Sequence, residues 1–363
     1  MTLSRRTLTR RLLVASGLAA PGLAAMPALA KPPLGKPRRP IVIAHRGASG
    51  LRPEHTLAAY RLAVAQGADF IEPDLVLTKD GHMVVRHENE ISGTTDVARH
   101  PEFAARKTTK VIDGEKIEGW FTEDFTLAEL KTLRARERLP ELRPGSAAFD
   151  GTDEIPTFDE MWALAKSESR RLGRTIGVYP EMKHPTYFAG LGLPFEHRLA
   201  ADLKAKGLDA PDAPVFVQCF EVGALKTIRP LTRAPLIQLV SAEGGPADRP
   251  GVTYADMVTA AGIREIAAYA DGIGPDWKQV IPVVDGGLGA PTSLVADAHA
   301  AGLAVHPYTV RAENRFLPPR LQIGTAPAAH GDVDALYRAL FAAGVDGLFS
   351  DFPGLEAAVR DAL

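Results

Sequence analysis

The alternation of apolar segments limits this chain more than any other feature. Eight short stretches, Ile41–Ala44, Phe70–Leu75, Gly177–Glu181, Val215–Gln218, Leu236–Val240, Gly272–Gly274, Ala304–His306 and Gly347–Ser350, read as strands. Between and after them lie helical patterns at Thr56–Gln66, Thr157–Leu172, Phe195–Lys206, Val222–Arg229, Ile263–Ala270, Ser293–Ala301, Val333–Ala343 and Phe352–Leu363. Alternating strands and helices build βαβ units around a parallel sheet. Gly67, Gly207, Gly302 and Gly344 each stand between a helical pattern and the next strand, where a helix closes most easily on glycine. Eight strands predict an α/β fold, a (β/α)8 TIM-type barrel, over an open doubly wound sheet. No G-x-G-x-x-G turn follows the first strand, which weakens a dinucleotide-binding alternative.

Two stretches break the alternation. Residues 88–155 are polar and carry Gly93, Pro101, Gly114, Gly119, Pro140 and Pro144, so they read as a small rim subdomain inserted between the second strand and the second helix. Within it, Trp120, Phe121 and Phe125 suit a local core better than an apolar lid. Residues 309–331 form a second rim segment after the seventh strand. Ahead of the barrel, Ser4-Arg5-Arg6, Arg10, Arg11, an apolar run over 12–25 and Ala28-Leu29-Ala30 follow the order of a cleavable export signal over residues 1–30. The paired arginines resemble a twin-arginine signal, which predicts the twin-arginine export machinery as a partner and a periplasmic or secreted location. Residues 31–40 then read as a proline-rich linker and 41–363 as the barrel domain.

Composition narrows the function. Four arginines and no acid lie in residues 1–30, so their removal moves the formal net charge from −2 to −6. Neither value supplies a basic field for nucleic acid. No second apolar stretch approaches the roughly 20 residues that span a bilayer, so no stable membrane insertion is expected after cleavage. A single cysteine, Cys219, excludes an internal disulfide and a thiolate zinc site.

Barrel enzymes do their chemistry at the C-terminal ends of the strands. Those ends read His45-Arg46-Gly47, Glu72-Pro73-Asp74, Glu181-Met182-Lys183, Gln218-Cys219-Phe220, His306-Pro307-Tyr308 and Ser350-Asp351-Phe352. Glu72 and Asp74 are two apart on one strand and share a face, and Glu181 comes from the next strand. Three carboxylates without a thiolate make a hard oxygen site for Mg2+ or Ca2+. The plainer reading is a salt-bridge cluster in which Arg46 and Lys183 neutralise the acids, although two cations leave three acids short of balance. His45, and His87 after the strand-like Val84-Val85, titrate near neutral pH and suit a base and an acid. Arg46 offers a planar fork and Lys183 a point charge for a phosphoryl oxygen. Phe220, Trp277 and Tyr308 follow strand ends and are candidate substrate contacts as well as packing residues.

These residues resemble the glycerophosphodiester phosphodiesterases, most closely their periplasmic branch. The resemblance rests on His45-Arg46-Gly47-Ala48-Ser49-Gly50 through Pro53-Glu54-His55-Thr56, on Ala68 through Asp74 with Thr78-Lys79-Asp80-Gly81, and on His87, Glu181-Met182-Lys183, Gln218-Cys219-Phe220, His306 through Arg311, and Gly347 through Pro353. It implies metal-dependent hydrolysis of glycerophosphodiesters to glycerol 3-phosphate and an alcohol. It also implies that Glu72, Asp74 and Glu181 hold a divalent cation, usually Ca2+, and that His45 and His87 form the acid/base pair. The sequence departs from the family at Glu88-Asn89-Glu90, where the acid that commonly follows the second histidine is shifted. A cyclic phosphate intermediate and direct attack by water remain alternative routes. Two rival functions keep the same charges: a phospholipase acting on intact lipid, which needs an interfacial surface, and a noncatalytic binding protein for phosphate esters, in which substitution of either histidine would spare binding.

Overall fold

The computed structural model describes residues 39–363; the readings for residues 1–30 and most of the 31–40 segment lie outside them. Within the described residues the expected closed barrel is present. The first strand, Ile41–His45, pairs in parallel with Gly347–Ser350 on one side and Phe70–Glu72 on the other. Around the ring follow Gly177–Val178, Glu181–Met182, Val217–Cys219, Leu236–Val240, Gly272–Pro275 and Ala304–Val305, each parallel to its neighbour. Bonds from Phe349 N to Pro307 O (3.0 Å) and from Val310 N to Phe349 O (2.8 Å) close the gap between the seventh and eighth strands. Eight principal helices cover the outside, and Gly67, Gly207, Gly302 and Gly344 all adopt positive φ at the turns that return the chain to the barrel.

Two expected strands are broken where proline removes an N–H from the ladder. The second divides into Phe70–Glu72 and Asp74–Leu77 around Pro73, and the third into Gly177–Val178 and Glu181–Met182 around Tyr179-Pro180. Pairing resumes beyond both breaks, with Asp74 opposite Glu181 and Glu181 N donating to Pro73 O at 2.9 Å. The fourth strand is Val217–Cys219 rather than 215–218. The helix expected over 263–270 instead spans Ala260–Ala267, because Thr259 caps it by accepting from Gly262 N. A short hairpin, Val283–Val284 with Gly287–Leu288, exposed along its first strand, carries no signal in the apolar pattern.

Strand periodicity divides the apolar residues between two cores. Val42 and Ala44 face the helices in the large outer cluster, whereas Ile43 joins Tyr179, Ile237 and Phe349 in a smaller one. The helix Phe158–Leu172 shows how the outer layer is held. Thr157 and Glu160 form a reciprocal capping box at its start, and Gly173 closes it at φ 63°.

The 88–155 excursion leaves and returns at one neck. The strand Met83–Val85 turns back against Asp74–Leu77, Val85 N donates to Pro156 O at 2.9 Å, and Val84 bridges Thr157. Arg86 is fully buried at this neck and donates to the carbonyls of Glu54, His55, Val85 and Thr94. The excursion contains the hairpin Thr108–Ile112 with Glu115–Gly119, turned by Asp113-Gly114 with φ of 50° and 87°. Two successive positive φ values favour Asp-Gly at such a turn. Trp120 and Phe125 are buried here, with the Trp120 indole donating to Phe103 O at 2.7 Å and the Phe103 and Phe125 rings 5.0 Å apart; Phe121 is also buried. Trp120 and Phe125 thus join the large outer cluster that also holds Leu77 and Val84, rather than a separate core of the excursion.

Candidate active site at the C-terminal end of the barrel

A cavity of about 300 Å³ opens where the strands end. His45, Arg46, Glu72, His87, Glu181, Lys183, Phe220 and Tyr308 all line it, together with Trp277. Asp74 lies just behind this wall. It is buried, and its carboxylate lies with those of Glu72 and Glu181 so that one oxygen of each is within 4.8 Å of the others.

The backbone explains how the acids converge. Arg46 adopts φ 59°, and its N–H donates to Glu72 Oε2 at 2.8 Å. Glu72 Oε1 accepts from Gln218 Nε2 at 3.2 Å, while Gln218 Oε1 is buried without a hydrogen-bond partner among the described residues. Asp74 Oδ2 is 2.8 Å from His55 Nε2, and His55 Nδ1 is 2.8 Å from the Tyr60 hydroxyl. Burial alone would raise the Asp74 pKa, but His55 and Arg46 outweigh it and hold the group well below its ordinary value. Glu72 goes the other way, driven up by burial and by the charges of Asp74 and Glu181. Burial and Asp74 push Glu181 up to about 8 despite Lys183, whose Nζ lies 3.2 Å from Glu181 Oε1. Three crowded carboxylates, two of them with raised pKa despite the cations nearby, beside an amide oxygen that has no partner among the described residues, fit a divalent cation held by oxygen.

The cationic side chains are more engaged than the sequence implied. Arg46 Nη1 donates to Glu54 at 3.1 Å, and its Nε lies 3.4 Å from Asp74, so only part of the fork remains for a phosphoryl group. The salt-bridge reading therefore describes contacts that exist, but among the described residues no side-chain ion pair reaches Glu72, which Arg46 touches through its N–H.

Each candidate histidine has a carboxylate against Nδ1. His45 Nδ1 is 2.5 Å from Asp351 Oδ1, and Asp351 Oδ2 accepts from Arg143 (2.5 Å) and Arg311 (3.0 Å). Burial works against ionised Asp351, yet the two arginines hold its pKa well below the ordinary value. Burial, then Arg46, lower His45 to about 4, so His45 is neutral near pH 7 and its Nε2 is free to accept a proton. His87 Nδ1 lies 3.1 Å from Glu88 Oε1, and burial with Arg46 and Lys183 also lowers its pKa. Phe220 stands edge-on to Tyr308 with centroids 5.9 Å apart, and Cys219 is buried with Sγ 3.3 Å from Met182 O.

Residues 45–355 match the family model described as the glycerophosphoryl diester phosphodiesterase family. The chain belongs to that family. A glycerophosphodiester phosphodiesterase of Arabidopsis thaliana is 39% identical over 329 residues, covering 87% of this chain and 84% of the relative. One from Haemophilus influenzae is 32% identical, covering 86% and 87%. Among solved structures, a family protein from Silicibacter pomeroyi superposes with a TM-score of 0.65 at 21% identity, over 90% of this chain and 95% of the other. A phosphodiesterase of Oleispira antarctica, solved with the product sn-glycerol-3-phosphate, gives 0.57 at 23% identity, over 89% and 97%. These structures share the glycerophosphodiester phosphodiesterase barrel.

Several polar partners in this phosphodiesterase escaped the sequence reading. Asp351 and Gln218 were visible as strand-end residues but carried no role. Arg143 and Glu88 lie in the irregular excursion, where no periodicity predicts a direction. Asp276, Lys278, Arg311 and Arg315 also line the cavity, and only their location after the sixth and seventh strands could have signalled it.

Proposed function

We propose that this protein hydrolyses glycerophosphodiesters to sn-glycerol 3-phosphate and an alcohol, in the breakdown of deacylated phospholipid and the use of its glycerol. The observation that carries this reading is one cavity lined by two histidines, Arg46, Lys183, Glu72 and Glu181, with Asp74 directly behind. Its volume of about 300 Å³ suits a small diester. Glu72, Asp74 and Glu181 would hold the divalent cation, Ca2+ by preference, which when bound neutralises charge on the nonbridging phosphoryl oxygens.

The chain's own groups supply the proton transfers. Asp351 orients His45, whose Nε2 removes the proton from the glycerol hydroxyl adjacent to the phosphate. The protonated form of His87, disfavoured by burial and by Arg46 and Lys183, donates a proton to the departing alcohol oxygen, and Arg46 and Lys183 stabilise the phosphoryl charge. The histidines exchange roles when water opens the resulting cyclic phosphate. The pattern in residues 1–30 supports a further proposal, that the twin-arginine machinery exports the protein to the periplasm or the medium.

The test is release of glycerol 3-phosphate from glycerophosphocholine by protein lacking residues 1–30, before and after chelation. Activity that disappears with the chelator and returns with Ca2+ or Mg2+ supports the reading. A folded protein inactive under every metal refutes it.

A further inference from the structure

Beyond the groups assigned above, a line of charged side chains leads from His87 to the tip of the excursion. Glu88 Oε1 lies 3.1 Å from His87 Nδ1 and 3.7 Å from Lys183 Nζ, while its Oε2 lies 2.7 Å from His184 Nε2. His184 Nδ1 in turn lies 2.6 Å from Asp113 Oδ2. Both nitrogens of His184 thus face carboxylate oxygens, and both can donate only when the ring is an imidazolium. Burial opposes that charge, but Asp113 and Glu88 outweigh it and bring the pKa up to about 9. His184 also holds φ 48°, a conformation unfavourable for a residue with a side chain. Contacts on both nitrogens help to hold it there.

A loose counterpart stands on the other side of the cavity. His45 presents Nδ1 to Asp351, and Arg143 from the excursion braces that carboxylate. His87 Nδ1 lies 3.1 Å from Glu88 as an ion-pair contact without the aligned hydrogen bond that joins His45 to Asp351, and Lys183 and His184 brace that carboxylate, with Asp113 of the excursion behind. A carboxylate on Nδ1 decides which ring nitrogen faces the substrate.

We propose that Glu88 is the positioning residue of His87, and that Asp113, acting through His184, is the hold of the inserted hairpin on that histidine. The inference rests on His87 being an acid/base group of the phosphodiesterase reaction. It is tested with Glu88→Gln and Asp113→Asn, alone and combined with His87→Ala, using glycerophosphocholine and the 4-nitrophenyl phosphodiester of glycerol. Thermal unfolding of each variant verifies folding, and Asp113→Asn, at the partly exposed turn, is the gentler change. With glycerophosphocholine, each single variant should lose about tenfold or more in kcat with KM within about twofold. Neither substitution should lower kcat further once His87 is alanine. The loss should shrink with the nitrophenyl diester, whose leaving group needs no proton.

A full additional loss in the His87→Ala protein overturns the inference and leaves the phosphodiesterase reading intact. Unchanged kcat in Asp113→Asn overturns the role of the hairpin. A wild-type protein that releases no glycerol 3-phosphate, or a His87→Ala protein at full rate, removes the underlying reading and the inference with it.

Discussion

Glu356 should make the folded protein less stable as pH rises, and replacing it with glutamine should remove that dependence. The side chain is fully buried on the last helix, Pro353–Asp361, and neither carboxylate oxygen has a hydrogen-bond partner among the described residues. Burial raises its pKa well above 4.5, against the opposing pull of Arg360. The folded chain therefore retains a proton that the unfolded chain releases, and unfolding becomes more favourable above the unfolded pKa. This contribution is about 1.4 kcal/mol per pH unit for as long as the folded group stays protonated. With an unfolding entropy of about 2.1 cal/mol/K per residue, each such unit corresponds to ~2 °C in Tm for a domain of this size. Scanning calorimetry of wild type and Glu356→Gln over a series of pH values above the ordinary carboxylate range measures it directly. The Tm of Glu356→Gln minus that of wild type should rise toward high pH, whatever constant offset the amide introduces. Parallel curves would show that Glu356 ionises in the folded protein and would refute the argument.

Asp351→Asn should destabilise the protein by on the order of 3 kcal/mol, because Arg143 and Arg311 lose a buried carboxylate. It should also lower kcat through His45, and denaturant titration beside steady-state kinetics separates the two effects. Glu72→Gln should weaken Ca2+ binding by about tenfold or more, read by titration calorimetry, since it removes a charge from the oxygen cluster. Gly47→Ala should destabilise by about 1–3 kcal/mol in thermal or denaturant unfolding. The residue has φ 84°, and an added Cβ would lie 2.7 Å from the backbone carbon of Ala59.

The barrel was legible because its signals are local. Alternating apolar segments, helix-ending glycines and polar residues at strand ends need no knowledge of distant parts of the chain. Glu72 and Asp74 could be placed on one face from their spacing alone, and Glu181 followed from the strand order. Pro73 and Pro180 were equally visible, yet the pattern of apolar residues runs through both, so the breaks they impose were missed. The state of Arg46 was not legible either, because Glu54 engages it through a loop with no repeating pattern. Arg143 reaches Asp351 across 208 positions of sequence, and Asp113 meets His184 across 71. Contacts of that range depend on the path of an irregular segment, which composition and periodicity do not encode.

The stitched neck of the excursion also bears on how such a barrel changes over generations. Because residues 85 and 156 are already hydrogen bonded, the intervening stretch can lengthen, shorten or be exchanged without altering the register of the strands around it. Barrel and ornament can thus diverge at different rates. That freedom is bounded by Arg138, Arg143 and Asp113, which tie the ornament to Glu54, Asp351 and His184. A transplanted excursion would preserve the scaffold readily, but it would transmit working chemistry only if it carried equivalents of these three anchors.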